Sequence, residues 1–527
     1  MKRIMNNTEK KEQETTGKKS TVKRTYPVIM TDAPFRVEPG MPLPFVCSVR
    51  LLTESAVIIE SINVKLTQNN QTVLSSTVLQ RPAIIRDPIW RRVFVINLPE
   101  DLSGEFALDA FIRVGFSGKT KTIHNCDEPG IKNSELKIFR AKEKLPKIQG
   151  YCLGDLHYHS MADSSGIPHT LPQSIAHAIG LDFYTVAMLS FKNGDSGVDN
   201  VREYHRFKRS IIDFNEKSEV VALAGQEASC RNAKGKTVPL LVLNGAEYIE
   251  GTAESPARLM PGRSKYTLKD GIKKAGESSA VFALHPVLRR SRWRDVISRR
   301  GYWSLKDIES SGICGMQVSS LASSLPDDPG LREWIKLLLQ GHKRFIIAGS
   351  HAQQTLSYRP FKKYPNPDNK TDDPNRVFGY MRTGILCGSL LTADGIIKAL
   401  LGGRAVVTNG PLLDIVIIND SEKRVRIGGE LNGSSFLLRY RARTTAEFGP
   451  VSKILLYAGD IKNRREDLIF TFNFKDSVYT QEQEIYFEPR SEYGYMRGEL
   501  WTRKEPASKF CITNPIWIRE ENRETRH

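Results

Sequence analysis

Two histidines separated by one residue, His157 and His159, follow directly on a short apolar run, Tyr151-Cys152-Leu153-Gly154-Asp155-Leu156. On a strand, residues i and i+2 project from the same face, so both imidazoles can reach one metal ion. Imidazole suits zinc, iron, nickel or manganese at such a site. The competing reading of an HxH pair is two exposed or core-packed histidines. Here an Asp precedes the pair and a Ser follows it at a strand end, which favours the metal. Three more metal-competent positions sit just past other apolar runs: Glu227, His285, and His351 after Ser350. One such residue at a strand end is usually structural, but four strand ends converging on these residue types point to a centre. A bound ion would lower the pKa of a water and polarise a scissile phosphoryl or carbonyl group. Glu227 or Asp155 could then orient ligands or shuttle a proton. Four arginines follow His285-Pro286; of these, Arg289 and Arg292 are candidates to hold an anionic substrate by charge-assisted hydrogen bonds. A solvated loop or helix face is an equal reading of that cluster.

These positions require a scaffold that gathers strand ends. From Tyr151 to about Ala405, apolar runs alternate with amphipathic helical stretches, the pattern of a parallel α/β array. The strand candidates are Cys152–Leu156, Phe183–Leu189, Val220–Ala224, Leu240–Leu243, Ala280–Leu284, Gly315–Val318 and Arg344–Ala348. Helix candidates lie between them, among them Leu171–Ile179, Val201–Glu216, Trp293–Arg300 and Leu331–Gln340. Seven strands with crossovers suggest a closed barrel, whose chemistry would sit at the C-terminal strand ends. Residues 26–145 read as a β-sandwich, with β-branched and aromatic runs separated by turns such as Pro39-Gly40 and Asn69-Asn70. β texture returns over 411–520. Residues 1–25, rich in Lys, Glu and Thr, read as a disordered tail without the apolar core of a signal peptide.

Composition narrows the classes. At 527 residues the chain is too long for one core. No apolar run approaches the ~18 residues needed to cross a bilayer, so the expectation is a cytoplasmic protein without a membrane partner. Seven scattered cysteines without a CxxC argue against a disulfide framework and a structural zinc knuckle. The net charge of +18 arises from 77 basic and 59 acidic residues mixed along the chain. A generally basic surface is therefore favoured over a nucleic-acid partner, which would show steeply salt-dependent binding. Internal repeats, a Gly-rich phosphate loop and a GxSxG elbow are absent. The spacing says nothing about oligomeric state.

Over about residues 150–415 the chain resembles the PHP (polymerase and histidinol phosphatase) superfamily, in particular its CehA/McbA-type metallohydrolase branch. Gly154-Asp155-Leu156-His157-Tyr158-His159-Ser160 looks like the first motif, and Gly180-Leu181-Asp182-Phe183 like the approach to the second. Gly225-Gln226-Glu227 and His285-Pro286 look like the third and fourth ligand positions. Gly402-Gly403-Arg404 with Thr408-Asn409-Gly410-Pro411 looks like the end of the module. The resemblance implies an α/β fold: a distorted (β/α)7 barrel over 150–410, flanked by N- and C-terminal β-sandwich-like domains. It also implies divalent-metal-dependent hydrolysis of a phosphoester or related bond. The pattern is incomplete. Where the family has Thr-Asp-His, this chain has Ala187-Met188-Leu189. Gly-Ser-Asp-Ala-His becomes Gly349-Ser350-His351-Ala352-Gln353, Asp163 is the only acid near the expected Ser-Asp-Gly, and the sixth strand continues Gln317-Val318-Ser319-Ser320. What remains, His157, His159, Glu227 and His351 with His285 as a second subsite, supports one or two ions. The His-rich set favours Zn, Mn or Fe over Mg. The expectation is thus a mono- or binuclear hydrolase acting on a small anionic substrate. Its rival is a decayed pseudoenzyme that binds or assembles.

Overall fold

The computed structural model describes residues 27–52, 55–127, 133–159, 170–190, 199–251, 264–284, 286, 303–309, 312–318, 329–353, 356–357, 376–388, 390–433, 435–488, 493–505 and 507–519. The expected tail over 1–25, the helix over Trp293–Arg300 and Asp163 lie outside them. Among the described residues no helix is long and apolar enough to cross a membrane.

Two sheets open the chain, antiparallel except where Arg36–Val37 runs parallel to Leu136–Arg140. Val28–Asp32, Leu43–Arg50 and Ile89–Ile96 form one. Arg36–Val37, Leu136–Arg140, Gly104–Phe116, Val57–Gln68 and Gln71–Leu79 form the path of the other. Strand Val57–Gln68 alternates buried and solvent-facing residues over most of its length, the period-2 pattern of a sheet wetted on one side. Ile29, Phe45 and Val49 share a core with Ile62, Val64, Leu108 and Ile112, so the sheets pack face to face.

The site-bearing region starts as the sequence predicts. Tyr151–His159, Phe183–Leu189 and Val221–Arg231 run parallel and are neighbours in that order. Two helices make the crossovers. Thr170–Ile179 is followed by Gly180 at φ +84°, a left-handed stop that glycine adopts without penalty. Asn200–Asn215 is capped by Asp199, whose carboxylate accepts from the N–H groups of Val201 and Arg202. Tyr151–His159 is buried at every position but Cys152, as expected for a strand covered on both faces.

The closed (β/α)7 barrel is not what forms. Thr237–Leu243 lies antiparallel to both its neighbours, Val221–Arg231 and Ala280–Ala283, so the parallel array is broken in its middle. Parallel pairing resumes through Gly315–Gln317 to Phe345–Ile347. The outer side of Tyr151–His159, where a barrel would close, is taken by the antiparallel strand Arg382–Leu386. From there the sheet continues through Ala405–Thr408, Phe510–Thr513, Tyr493–Thr502 and Val451–Asp460 to Arg465–Asn473, sixteen strands in all. The described residues hold thirty strands against six helices; the protein is mostly β. The result is a curled half-barrel.

The physical reason lies at the edge strand. A barrel closes only if the edge N–H and C=O groups meet the first strand. Here side chains meet them instead. The Asn514 amide accepts from Ile346 N at 2.8 Å and donates to Ile346 O at 3.0 Å. The Thr383 hydroxyl accepts from Ala348 N at 2.8 Å and donates to Ala348 O at 2.7 Å. Curling still returns the chain to its start, because Ala352–Gln353 pairs in parallel with Tyr158–His159.

A four-stranded sheet of Arg424–Arg426, Leu412–Asn419, Phe436–Arg443 and Thr480–Phe487 covers the far half of the long sheet. Leu413, Ile415, Leu438 and Leu456 share the core between them. The cysteines make no framework, but Cys152 and Cys387 form one disulfide spanning 235 residues, while Cys47, Cys126, Cys230, Cys314 and Cys511 are in no disulfide. Register places Tyr151 opposite Leu386 and Cys152 opposite Ile385. Residues that pair only through sheet register cannot be matched from spacing along the chain.

Candidate metal centre

Four side chains from three segments meet in one place. His157 and His159 come from Tyr151–His159, Glu227 from Val221–Arg231, and His351 from the turn after Phe345–Ile347. Their ligand-type atoms all lie within 4.8 Å of one another. His157 Nε2 and His159 Nε2 are 3.0 Å apart. Glu227 Oε2 lies 3.3 Å from the first, 2.9 Å from the second and 3.8 Å from His351 Nε2. Four donors around one tetrahedral ion at ~2.1 Å would be separated by ~3.4 Å, so the observed spacings suit a single ion. Register slips between Asp155 and Tyr158, a bulge of the kind that re-aims side chains beside functional sites.

The second ring nitrogen of each strand histidine fixes how the first can face the cluster. His159 Nδ1 lies 3.0 Å from the carbonyl oxygen of Ala187, which can only accept, so Nδ1 carries the proton. His157 Nδ1 lies 2.7 Å from Gln317 Oε1. In the neutral rings both Nε2 atoms are then lone pairs, aimed at each other and at a carboxylate oxygen. Lone pairs this close repel unless a positive charge sits among them. A second-shell acceptor on Nδ1 is also how metal-ligating histidines are usually held. Burial by itself would push the Glu227 carboxyl up. Where the imidazoles carry protons on Nε2 in place of a metal, hydrogen bonds from His157 and His159 and the charges of His159 and His351 outweigh it and hold the group well below the usual carboxylate range. Glu227 is therefore an anion.

Asp155, expected to orient ligands or move a proton, does not join the cluster. Its Oδ1 accepts from His157 N at 3.0 Å and from Ser350 N at 3.0 Å, and its Oδ2 from Gly379 N at 2.9 Å. It is fully buried. Its carboxylate ties the ligand strand to the turn that bears His351. Replacing Asp155 by alanine leaves three buried N–H groups unpaired and should lower unfolding stability by about 3–5 kcal/mol. Asp155→Asn, which keeps one acceptor oxygen, should lose about half of that, measured by urea unfolding. Equal stability of the alanine variant and wild type would show that these bonds do not hold the site together.

His285, Arg289 and Arg292 lie outside the described residues, so neither the second subsite nor the anion-holding role acquires a geometry. Ala187-Met188-Leu189 supplies no side-chain donor, yet the Ala187 main-chain oxygen orients His159. Gln317, noted in the sequence only as a departure from a family pattern, turns out to contact His157. The signal available was a buried amide at the end of an otherwise apolar strand, Gly315-Met316-Gln317. His351 adopts φ +51°, a left-handed backbone that a non-glycine residue rarely takes.

No protein-family model matches the chain, and no curated protein does. Among solved structures it is similar to a two-domain protein from Bacteroides vulgatus described as containing a predicted PHP-like metal-dependent phosphoesterase. Identity there is 14%, over 71% of this chain and 99% of that one, with a TM-score of 0.34. It is also similar to the sporulation control protein Spo0M of Bacillus subtilis, at 17% identity over 22% of this chain and 49% of that one, TM-score 0.16. β-Glucuronidase 2 of Bacteroides uniformis matches at 9% identity over 94% of this chain and 61% of that one, TM-score 0.19. Likenesses this weak assign the chain to no family.

Proposed function

We propose that the chain holds one divalent transition-metal ion between His157, His159, Glu227 and His351 and hydrolyses an anionic phosphoester. The convergence of three imidazoles and one carboxylate on a single point carries this reading, because a cation bound among them accepts all four donor atoms at once. Three nitrogens to one oxygen favour Zn, Mn or Fe over Mg. A divalent ion bound there would acidify a water and polarise the scissile group. Glu227 supplies the anionic donor, while Ala187 O and Gln317 Oε1 hold the two strand imidazoles with Nε2 toward the centre. One ion is favoured over two, since no second group of three donors exists among the described residues and Asp155 is engaged with backbone N–H groups. The phosphoester class rests on the resemblance of Gly154–Ser160 and Gly225-Gln226-Glu227 to PHP motifs.

One observation favours a second reading, a metal-dependent binding or assembly module. Four protein donors complete a tetrahedral shell, whereas catalytic zinc sites keep a position open. Metal-free protein loaded with Zn, Mn or Fe(II), dialysed and analysed for metal and for aryl phosphodiester and monoester cleavage, separates the two. The expected result is about one equivalent of bound metal, with turnover that is abolished by chelator and absent in His157→Ala. Bound metal without turnover would support the binding module. Less than a tenth of an equivalent of any metal would overturn both.

A further inference from the structure

We infer that Gln317 is a positioning residue that sets the metal affinity of the site by holding His157 and the His351 turn together. This rests on the metal reading above.

The two strand imidazoles are oriented differently. His159 faces a main-chain carbonyl, which accepts and cannot turn round. His157 faces a side-chain amide, which could present either its oxygen or its nitrogen. The other end of the amide decides. Gln317 Nε2 lies 3.0 Å from Gly349 O, and a carbonyl only accepts, so the NH2 group must point there. Oε1 is left to accept from His157 Nδ1 at 2.7 Å. Nε2 of His157 thus keeps its lone pair for the centre because Gly349 has its carbonyl where it is.

Gly349 is in turn packed against the ligand. A Cβ at this position would fall 2.5 Å from His157 N and 2.6 Å from His157 Cβ, so only glycine lets the turn come this close. Two residues on, His351 sits in its left-handed conformation. Gln317 is 2% exposed and sits at the end of Gly315–Gln317. It contributes no donor to the ion, yet it bonds to one ligand and to the turn presenting another. An isosteric side chain without the amide releases both at once.

The test uses full-length protein labelled with 15N-histidine, metal-free, at about pH 8.5, above the ordinary imidazole pKa of ~6.5. His157 is identified by its loss in His157→Ala, and zinc affinity is measured in parallel against a chromophoric chelator. Wild type should show His157 as the Nδ1–H tautomer. Gln317→Met should shift it toward Nε2–H and weaken zinc binding roughly 10–100-fold. Gln317→Glu keeps an acceptor opposite Nδ1 but offers no donor to Gly349 O, so it should hold the tautomer and recover only part of the affinity. A methionine variant that retains the Nδ1–H tautomer and wild-type affinity would overturn the proposal. So would a glutamate variant that loses the tautomer, which keeps the test decisive even if the methionine variant does not fold. Wild type that binds no zinc would overturn the metal reading instead, while the nitrogen spectrum still decides the role of Gln317.

Discussion

His351→Gly should stabilise the metal-free protein by roughly 0.5–1 kcal/mol while lowering its zinc affinity by roughly 10²–10³-fold. The stability gain follows from backbone strain. At φ +51° a residue with a Cβ pays about 1–2 kcal/mol relative to glycine. Part of that relief is offset by the extra freedom glycine gives the unfolded chain. The affinity loss follows from the donor count. Zinc held by four ligands binds with about 10–16 kcal/mol, so one ligand accounts for about 2.5–4 kcal/mol. His351→Ala is the control: it should lose the same affinity but gain no stability, because alanine is strained there as histidine is. Urea unfolding in chelator, set against zinc titration of the same three proteins, reads both effects. If the glycine variant is no more stable than the alanine variant, the turn is not strained. If it binds zinc like wild type, His351 is not a ligand. Strain kept at a residue whose side chain faces a cluster of donors is the pattern expected when function holds a backbone that stability would not choose.

Two buried arginines near the junction of the N-terminal sandwich and the curled sheet should respond in opposite directions when truncated. Arg36 is fully buried and fully bonded. Its Nε and Nη2 donate to Glu447 Oε1 and Oε2, each at 2.9 Å, and its Nη1 donates to Glu38 Oε1 at 3.0 Å and to Ile179 O at 2.6 Å. Burial would lower its pKa, but Glu447 and Glu38 more than compensate and raise it. Arg36→Met strands the buried Glu38 carboxylate and leaves the half-buried Glu447 without its cation, and should lower stability by about 3–5 kcal/mol.

Arg382 is as deeply buried, but among the described residues its Nε and Nη1 have no hydrogen-bond partner. Burial first, then the neighbouring Arg36 charge, lowers its pKa to about 10. A cation easier to deprotonate when folded than when unfolded opposes folding. At neutral pH that opposition is worth up to about 3 kcal/mol, less the contact its guanidinium makes over the Phe448 ring. Arg382→Met should therefore raise stability by about 1–3 kcal/mol at pH 7. The sign of the pH dependence follows. The folded-state pKa is lowered, so the penalty is full below about pH 10 and fades as pH rises toward the ordinary guanidinium range. The advantage of the methionine variant should narrow over that window. A destabilised Arg382→Met would mean that the guanidinium is compensated after all.

The chain sequence made part of this legible. The period-2 pairing of His157 and His159 on an apolar run predicts two imidazoles on one face, and Glu227 lies against both. The parallel strands with intervening helices over 151–231 were readable from pattern, as was the β character of both flanks. These are local properties, decided by side-chain period and by turn and cap residues within a few positions.

What followed was not local. Asp155 reads as a candidate acid from its neighbours, and only the return of residues 350 and 379 shows that it serves as an acceptor for backbone N–H groups. Gln317 reads as a departure from a pattern, and only the curl of the sheet brings it to His157, 160 positions away. Barrel closure failed for the same kind of reason. Seven apolar strands suit a barrel, but Asn514, Thr383 and strand Arg382–Leu386 satisfy the two edges that closure would have used. Cys152 and Cys387 meet because their strands are adjacent, a matter of register and not of spacing. The sequence by itself determined which residues could bind a metal and which segments would be strands. The tertiary structure decided which of those residues share one centre and which tautomers they present, because hydrogen-bond partners from 28 to 224 residues apart settle both.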